Sequence, residues 1–447
     1  MAHPVRILLV LSMAVAMTAL VLFAARDRDS GEPLALSPAA APTQAVAPTA
    51  TPGLAFEPVV PEWVAVASEL EGPQAVPQLF VVKTETGEMW RLGDPPVPGA
   101  QVSLWPLVWS PDGELLVSVR TQDGADLYLA EPGSPFEIIA TIDAGVGVAA
   151  WSPEGKTVAL DGVDARLLSM ATGEIMHGPP LSGTRVINWS GDGKFVAFAT
   201  GPLLEPEVVV WEWTSGRTER IEARSGVWSH EGARLAYVPA RDVTLGEIPP
   251  HEIRVRDFNA GLEEIVTTIV TVAAEPVGWS ADDSLIMVAA NTDIFTTYIV
   301  SADGQGGTVA VHGTWPSNWL GDEQRVLLTG NVCRAYDIAT VDGDGSDLKH
   351  HTETEIPELN PRASPDGERV VFSVLRRDEP SVIRMLTLAT GEMRDLAVGS
   401  ALSLFQNVIR PELVWSPDGR YVAFGVAGGH DFCLGFPPQT TTVELLP

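Results

Sequence analysis

From about residue 60 onward, apolar and polar positions alternate in short runs. Each run is closed by Gly, Pro, Asp or Ser. That period-two pattern predicts strands joined by tight turns. The clearest runs are Leu115–Val119, Thr157–Leu160, Phe195–Ala199, Leu235–Val238, Leu285–Ala289, Val326–Thr329, Val370–Val374 and Tyr421–Val426. No stretch beyond residue 60 carries a long helical period, so the body of the chain is expected to be all-β.

The same turn precedes each of these strands. Trp109-Ser110-Pro111-Asp112-Gly113 returns at Trp151–Gly155, at Trp189–Gly193 (with Gly191 for Pro) and at Trp228–Gly232. Trp279–Asp283 and Trp319–Glu323 are degenerate copies, Ala363–Gly367 has lost the Trp, and Trp415–Gly419 closes the series. The copies lie 38 to 52 residues apart, the length of a four-stranded propeller blade. Pro presets φ for the first corner, the acidic residue suits the second, and Gly takes the left-handed position leading into the strand. Ser is placed to bond the turn backbone, and the Trp offers a flat surface to a neighbouring blade.

A second hairpin signal interleaves with the first. Thr86-Gly87-Glu88, Thr172-Gly173-Glu174 and Thr390-Gly391-Glu392 sit between strand-like segments, and Gly133, Gly216, Gly261, Gly304 and Gly343 fill the slot elsewhere. Two hairpins make one blade, so the expected fold is a β-propeller of about eight four-stranded blades. The Gly87 hairpin has no Trp-type turn before it, and the Trp415 turn has no Gly-type hairpin after it. Joining the two ends completes the last blade and buries the edges. Seven blades is the runner-up, because Trp63–Ala67 and Thr441–Leu445 are left over. Residues just before each Trp belong on the innermost strand, where small side chains such as Ala149, Ala150, Gly226 and Gly278 suit the crowded axis. Asn188, Asn318 and Arg362 break that rule and are the candidates for a binding site at the channel mouth.

The N-terminus differs. His3 and Arg6 precede an apolar run, Ile7–Ala25, long enough to cross a bilayer as one helix. The residues before Arg26 make a poor cleavage site, so residues 1–30 read as a retained anchor with the chain beyond it outside the cytoplasm; cleavage would make the protein secreted. Residues 31–60, with Pro38, Pro42, Pro48, Pro52 and Pro58 among Ala and Thr, read as an extended linker. The propeller is assigned to 61–447. The whole chain's 58 acidic residues against 28 basic ones give a net charge of −30, which repels phosphate backbones and argues against a nucleic-acid partner. The two cysteines, Cys333 and Cys433, lack zinc or redox spacing and are candidates for one disulfide in an oxidising compartment.

The Trp-Ser-Pro-Asp-Gly turn, the Val-Ala-Phe-like strand after it, and segments such as Tyr336–Ser346 ending in Val-Asp-Gly-Asp-Gly-Ser resemble the WD-like propeller repeats of the TolB type. The resemblance covers roughly residues 61–447 and is specific for fold. It implies an extracytoplasmic binding role without naming a partner, and the anchor departs from a freely soluble protein. The same repeats occur in the propeller halves of prolyl-oligopeptidase-type peptidases, but here no Gly-x-Ser-x-Gly elbow occurs and no residues remain for a hydrolase domain. His251-Glu252 lacks a following His at metalloprotease spacing. Asp342–Asp347 with Glu353 superficially resembles a calcium loop, but Asp347 stands where that loop needs Gly, so a hairpin turn is expected. Adjacent His350 and His351 should point to opposite faces of a strand, and Trp211 and Trp213 are expected to pack between blades. The expectation is a non-catalytic, membrane-anchored binding module for a protein or cell-envelope component, with no cofactor or metal. The alternative is an enzyme or small-ligand or metal sensor with its site in the central channel.

Overall fold

The Trp-type turns act as the inner hairpins of a ring. The computed structural model describes residues 56–59, 78–92, 101–120, 124–130, 137–142, 149–162, 164–181, 183–202, 205–240, 248–291, 295–321, 324–330, 337–354, 356–374, 381–399, 413–426 and 442–446. The apolar run Ile7–Ala25, the leftover Trp63–Ala67, Cys333 and Cys433 lie outside them. No helix among the described residues is long and apolar enough to cross a membrane.

Eight antiparallel sheets result. Blade 1 joins the two ends of the chain: Val414–Trp415 and Tyr421–Val426 pair with Gln78–Lys83 and Met89–Leu92, with Phe80 opposite Phe424. Blades 2 to 8 follow within residues 101–142, 149–177, 185–221, 223–270, 273–312, 314–350 and 358–399. The leftover C-terminal segment is a fifth strand, Thr442–Leu446, on the outer edge of blade 6, which removes the seven-bladed alternative. Phe56–Val59, within the stretch read as linker, pairs with Met89–Leu92 as a fifth strand of blade 1.

Turn chemistry explains the regularity. The Ser hydroxyl accepts the backbone N–H of the residue opening the second strand, as in Phe195 to Ser190 (3.0 Å), Leu285 to Ser280 (2.9 Å) and Tyr421 to Ser416 (2.9 Å). It donates to the turn carboxylate, as Ser280 does to Asp282 at 2.7 Å. That bond and those from Ser284 and Gln324, opposed by burial, lower the Asp282 pKa to about 2. Gly113, Gly155, Gly193, Gly232, Gly367 and Gly419 take the positive φ that the turn requires.

The degenerate copies have physical causes. A Cβ at Gly191 would lie 2.1 Å from the His230 carbonyl oxygen of the next turn, so Pro does not fit there. Asp283 replaces Gly in a left-handed conformation (φ 56°). Its buried carboxylate compensates by accepting the backbone N–H groups of His230 (2.7 Å) and Glu231 (2.8 Å) in blade 5.

The indoles join blades in one direction around the ring. Trp109 donates from Nε1 to the Val414 carbonyl, Trp189 to Ala150, Trp228 to Asn188, Trp279 to Val227 and Trp415 to Arg362, all at 3.0–3.1 Å. Each acceptor is the residue just before the Trp, or before Ala363, of the preceding blade. The Nε1 groups of Trp151 and Trp319 are buried without a partner among the described residues. The apolar core comprises eight clusters, one per blade interface; Leu79, Val81 and Ala423 of blade 1, for example, meet Leu115 and Val117 of blade 2.

Removing a working indole bond should therefore cost more than removing an idle one. Trp228→Phe strips the Asn188 carbonyl of its donor and is expected to cost about 1–3 kcal/mol. Trp151→Phe should cost distinctly less. Denaturant midpoints of the two variants check the ordering.

Candidate functional site

The inner strands do not run regularly into their Trp turns. Register shifts fall between Val186 and Asn188, Ala223 and Gly226, Pro276 and Gly278, Pro316 and Asn318, and Leu359 and Arg362. A bulge re-aims the side chains that follow it, here in the last residues before the turn. The result is an open cavity of about 340 Å³ at the inner ends of blades 4 to 7, lined by residues including Asn188, Val227, Gly278, Ser317, Asn318 and Trp319. A second hollow of about 260 Å³ shares His230, Trp279, Asn318 and Trp319 with it and continues to Ala363 and Pro365.

Two of the three sequence candidates thus line one cavity. Asn188 is exposed, and its Oδ1 accepts the Trp189 backbone N–H at 2.8 Å, which fixes the amide direction. Asn318 is half-buried and reached by the Ser317 hydroxyl at 3.3 Å. Arg362 does not line the cavity directly. Its Nη1 donates to Ser317 Oγ and to the Pro361 carbonyl, both at 3.3 Å, while Ser317 also donates to Pro361 across the blade 7–8 seam. Ser317 is a polar lining residue that sequence reasoning missed. Its signal is the slot two before the Trp, where the other cavity blades carry Ile187, Gly226 and Val277. The lining presents amides, a hydroxyl, the His230 imidazole and indole faces, which suits hydrogen bonding to polar groups.

The remaining candidates resolve as structural. The Asp342–Ser346 segment is a hairpin turn: Ser346 donates its backbone N–H and hydroxyl to Asp344, and Arg325 takes Asp342 and Asp347 at 2.8 Å each. The left-handed glycine is Gly345 rather than Gly343. His350 is exposed, whereas His351 is half-buried beside the Thr340 hydroxyl (2.9 Å) and lowered to about 4 by burial and nearby Lys349 and Arg325. Trp211 is buried between blades 3 and 4, and Trp213 donates to the Gly193 carbonyl. Among the described residues no three His, Cys, Asp or Glu side chains gather as a metal set.

No protein-family model and no curated protein matches the chain. Solved structures do. The C-terminal WD40 domain of Sif2 is 15% identical over 72% of this chain and 95% of that domain, with a TM-score of 0.50. A putative TolB from Agrobacterium tumefaciens is 16% identical over 79% of this chain and 98% of that one, with a TM-score of 0.35. An oligogalacturonate lyase in complex with manganese is 12% identical over 84% and 96%, at 0.49. The chain is an eight-bladed β-propeller, and TolB structures are among those similar to it; at these identities the likeness is one of fold.

The seam under Arg362 carries a strongly perturbed carboxyl. Glu358, at the other end of the same inner strand, is 1% exposed. Burial pushes it up to about 7; the Thr352 hydroxyl and Arg384 act in the opposite direction, and Asp337 adds to the rise. Its ordinary value is 4.5, so ionising it costs the folded chain more than the unfolded one. This increment of stability is complete below that value and is lost as pH rises through about 7. Glu358→Gln should flatten the fall in denaturation midpoint between about pH 5 and about pH 8 that the unaltered chain shows.

Proposed function

We propose that the protein is a non-catalytic binding propeller, held at the cell membrane by residues 1–30 and displayed outside the cytoplasm. The channel-mouth cavity is its recognition site, for a protein or cell-envelope component. The observation that carries this reading is the convergence of Asn188, Ser317 and Asn318 on one open cavity, with Arg362 bonded behind Ser317. Ser317 bonds Asn318, Pro361 and Arg362 rather than a general base, and the cavity's imidazole, His230, is engaged by Asp283, which supports hydrogen-bonding recognition over nucleophilic chemistry. The acidity of the chain supports a partner other than nucleic acid.

The test is affinity capture from native envelopes with the full chain, comparing it with Asn188→Ala/Asn318→Ala/Arg362→Ala. One specific protein retained by the unaltered chain and lost from the triple variant, with the unfolding free energy kept within about 1 kcal/mol, is the expected result. Retention by both would place binding elsewhere on the ring. Co-purification of a metal or small molecule in place of a protein would favour an enzyme or sensor with channel chemistry.

A further inference from the structure

The channel-mouth cavity differs in composition from the rest of the chain. The chain carries 58 acidic and 28 basic residues, yet no Asp, Glu, Lys or Arg stands among the described residues lining either hollow. None of the exposed large hydrophobics among the described residues lies there either. Trp228, Trp279 and Met287 border the cavity but are buried in the interblade core, which leaves the half-buried Trp319 as its aromatic surface. A protein interface is centred on large apolar, aromatic or Arg anchors within a polar rim. This lining is mainly a set of neutral hydrogen-bonding groups.

Those groups have fixed roles. Asn188 Oδ1 takes the Trp189 backbone N–H, so its amide NH2 is left to donate. Both oxygens of Asp283 already accept backbone N–H groups, from His230 and Glu231. His230 Nδ1, 3.1 Å from that carboxylate, therefore carries the ring proton, and Nε2 is left as an acceptor. Asn318 adds a second amide. Gly278 supplies an independent observation. Its φ is not positive, and an added Cβ would meet Trp319 Cδ1 at 3.5 Å, an ordinary contact distance. Neither backbone nor packing demands glycine at this position. At Gly226, by contrast, a Cβ would come 3.0 Å from the Ala236 carbonyl oxygen. A glycine weakens its strand; at 278 it leaves the Trp319 ring uncovered towards the cavity.

We propose that the cavity takes a neutral sugar unit of a glycan, stacked on Trp319 beside Gly278 and held through its hydroxyls by Asn188, Asn318 and His230. A sugar ring offers hydroxyls that both donate and accept, C–H edges for an indole, and no charge. The volume of about 340 Å³ is that of a small-ligand site. The proposal rests on the recognition site proposed above and narrows its partner to a cell-envelope component bearing such a glycan.

Binding of the full chain, in mild detergent, to a panel of immobilised neutral and acidic glycans tests this, with titration calorimetry on the strongest neutral member. The expected result is binding confined to neutral glycans and insensitive to salt. Gly278→Leu, which covers the Trp319 ring, should weaken it at least about tenfold. Asn188→Ala should weaken it about three- to tenfold, the share of one hydrogen bond. Met176→Lys, exposed on the outer strand of blade 3, should leave it unchanged. Gly278→Ala should bind more weakly while its denaturation midpoint holds or rises, and it carries the test if Gly278→Leu does not fold. No neutral glycan bound, a preference for acidic glycans, or binding that both glycine variants leave intact overturns the proposal. A protein captured from envelopes that stays bound after its glycans are removed, yet is lost from Gly278→Leu, overturns it too and leaves the recognition site standing. Protein capture and glycan binding both indifferent to the cavity variants remove that site as well.

Discussion

The structure depends on a single recurrent bond, from an indole N–H to the carbonyl of the residue before the equivalent Trp one blade back. A propeller has no continuous core; its apolar side chains lie in slices between blades, and slices alone do not fix how far each sheet is rotated about the axis. The indole bond does. It ties the inner strand of one blade to the inner strand of the previous blade at a repeating height. Because donor and acceptor occupy adjacent positions in the repeat, a blade can donate on one side and accept on the other, as blades 1, 4 and 5 do. A buried N–H donor is costly to leave unpaired, which selects one stacking among the many that apolar contact would permit. Joining the first and last strands in blade 1 then removes the remaining freedom.

The same bond explains why the candidate site lies where it does. The acceptor carbonyls belong to the residues that carry the channel-mouth side chains: Asn188 accepts from Trp228, and Arg362 from Trp415. Fixing the carbonyl fixes where the side chain departs. The lattice lapses on either side of Asn318. The Trp319 N–H has no partner among the described residues, and Ala363 has no indole to offer. At that lapse the seam is held by Ser317 and Arg362 above and by Thr352 on Glu358 below. Polar side chains therefore gather where the regular Trp chemistry stops, and the cavity opens beside them.

Much of this was legible in the residues. The turns repeat because Pro, an acidic residue and Gly each satisfy a local backbone requirement, so blade count, strand order and ring closure follow from local rules. Asn188 and Asn318 were legible as polar departures from a small-residue slot. The bulges were not, because an extra residue in an inner strand depends on the crowding of eight strands around an axis. They decide that Ser317 lines the cavity and that Arg362 stands behind it. Asp283 was visible only as a lost glycine. That its carboxylate reaches the backbone of the preceding blade is a tertiary fact with no local trace. Glu358 likewise reads as an ordinary strand residue until the blade 7–8 seam closes over it.

Ring closure solves the edge problem for the chain as a whole but leaves it at the perimeter, because each sheet still ends in an outer strand. Two opposite solutions coexist there. Where the outer strand is short or charged, water is the better partner, and the edge needs no cover. Where a terminal segment is available, a fifth strand covers it, as on blades 1 and 6. Blade 5 combines features of both: its nine-residue outer strand carries Glu263 and Glu264 near one end and a register shift at Val266, while Leu262, Ile265 and Val270 reach solvent.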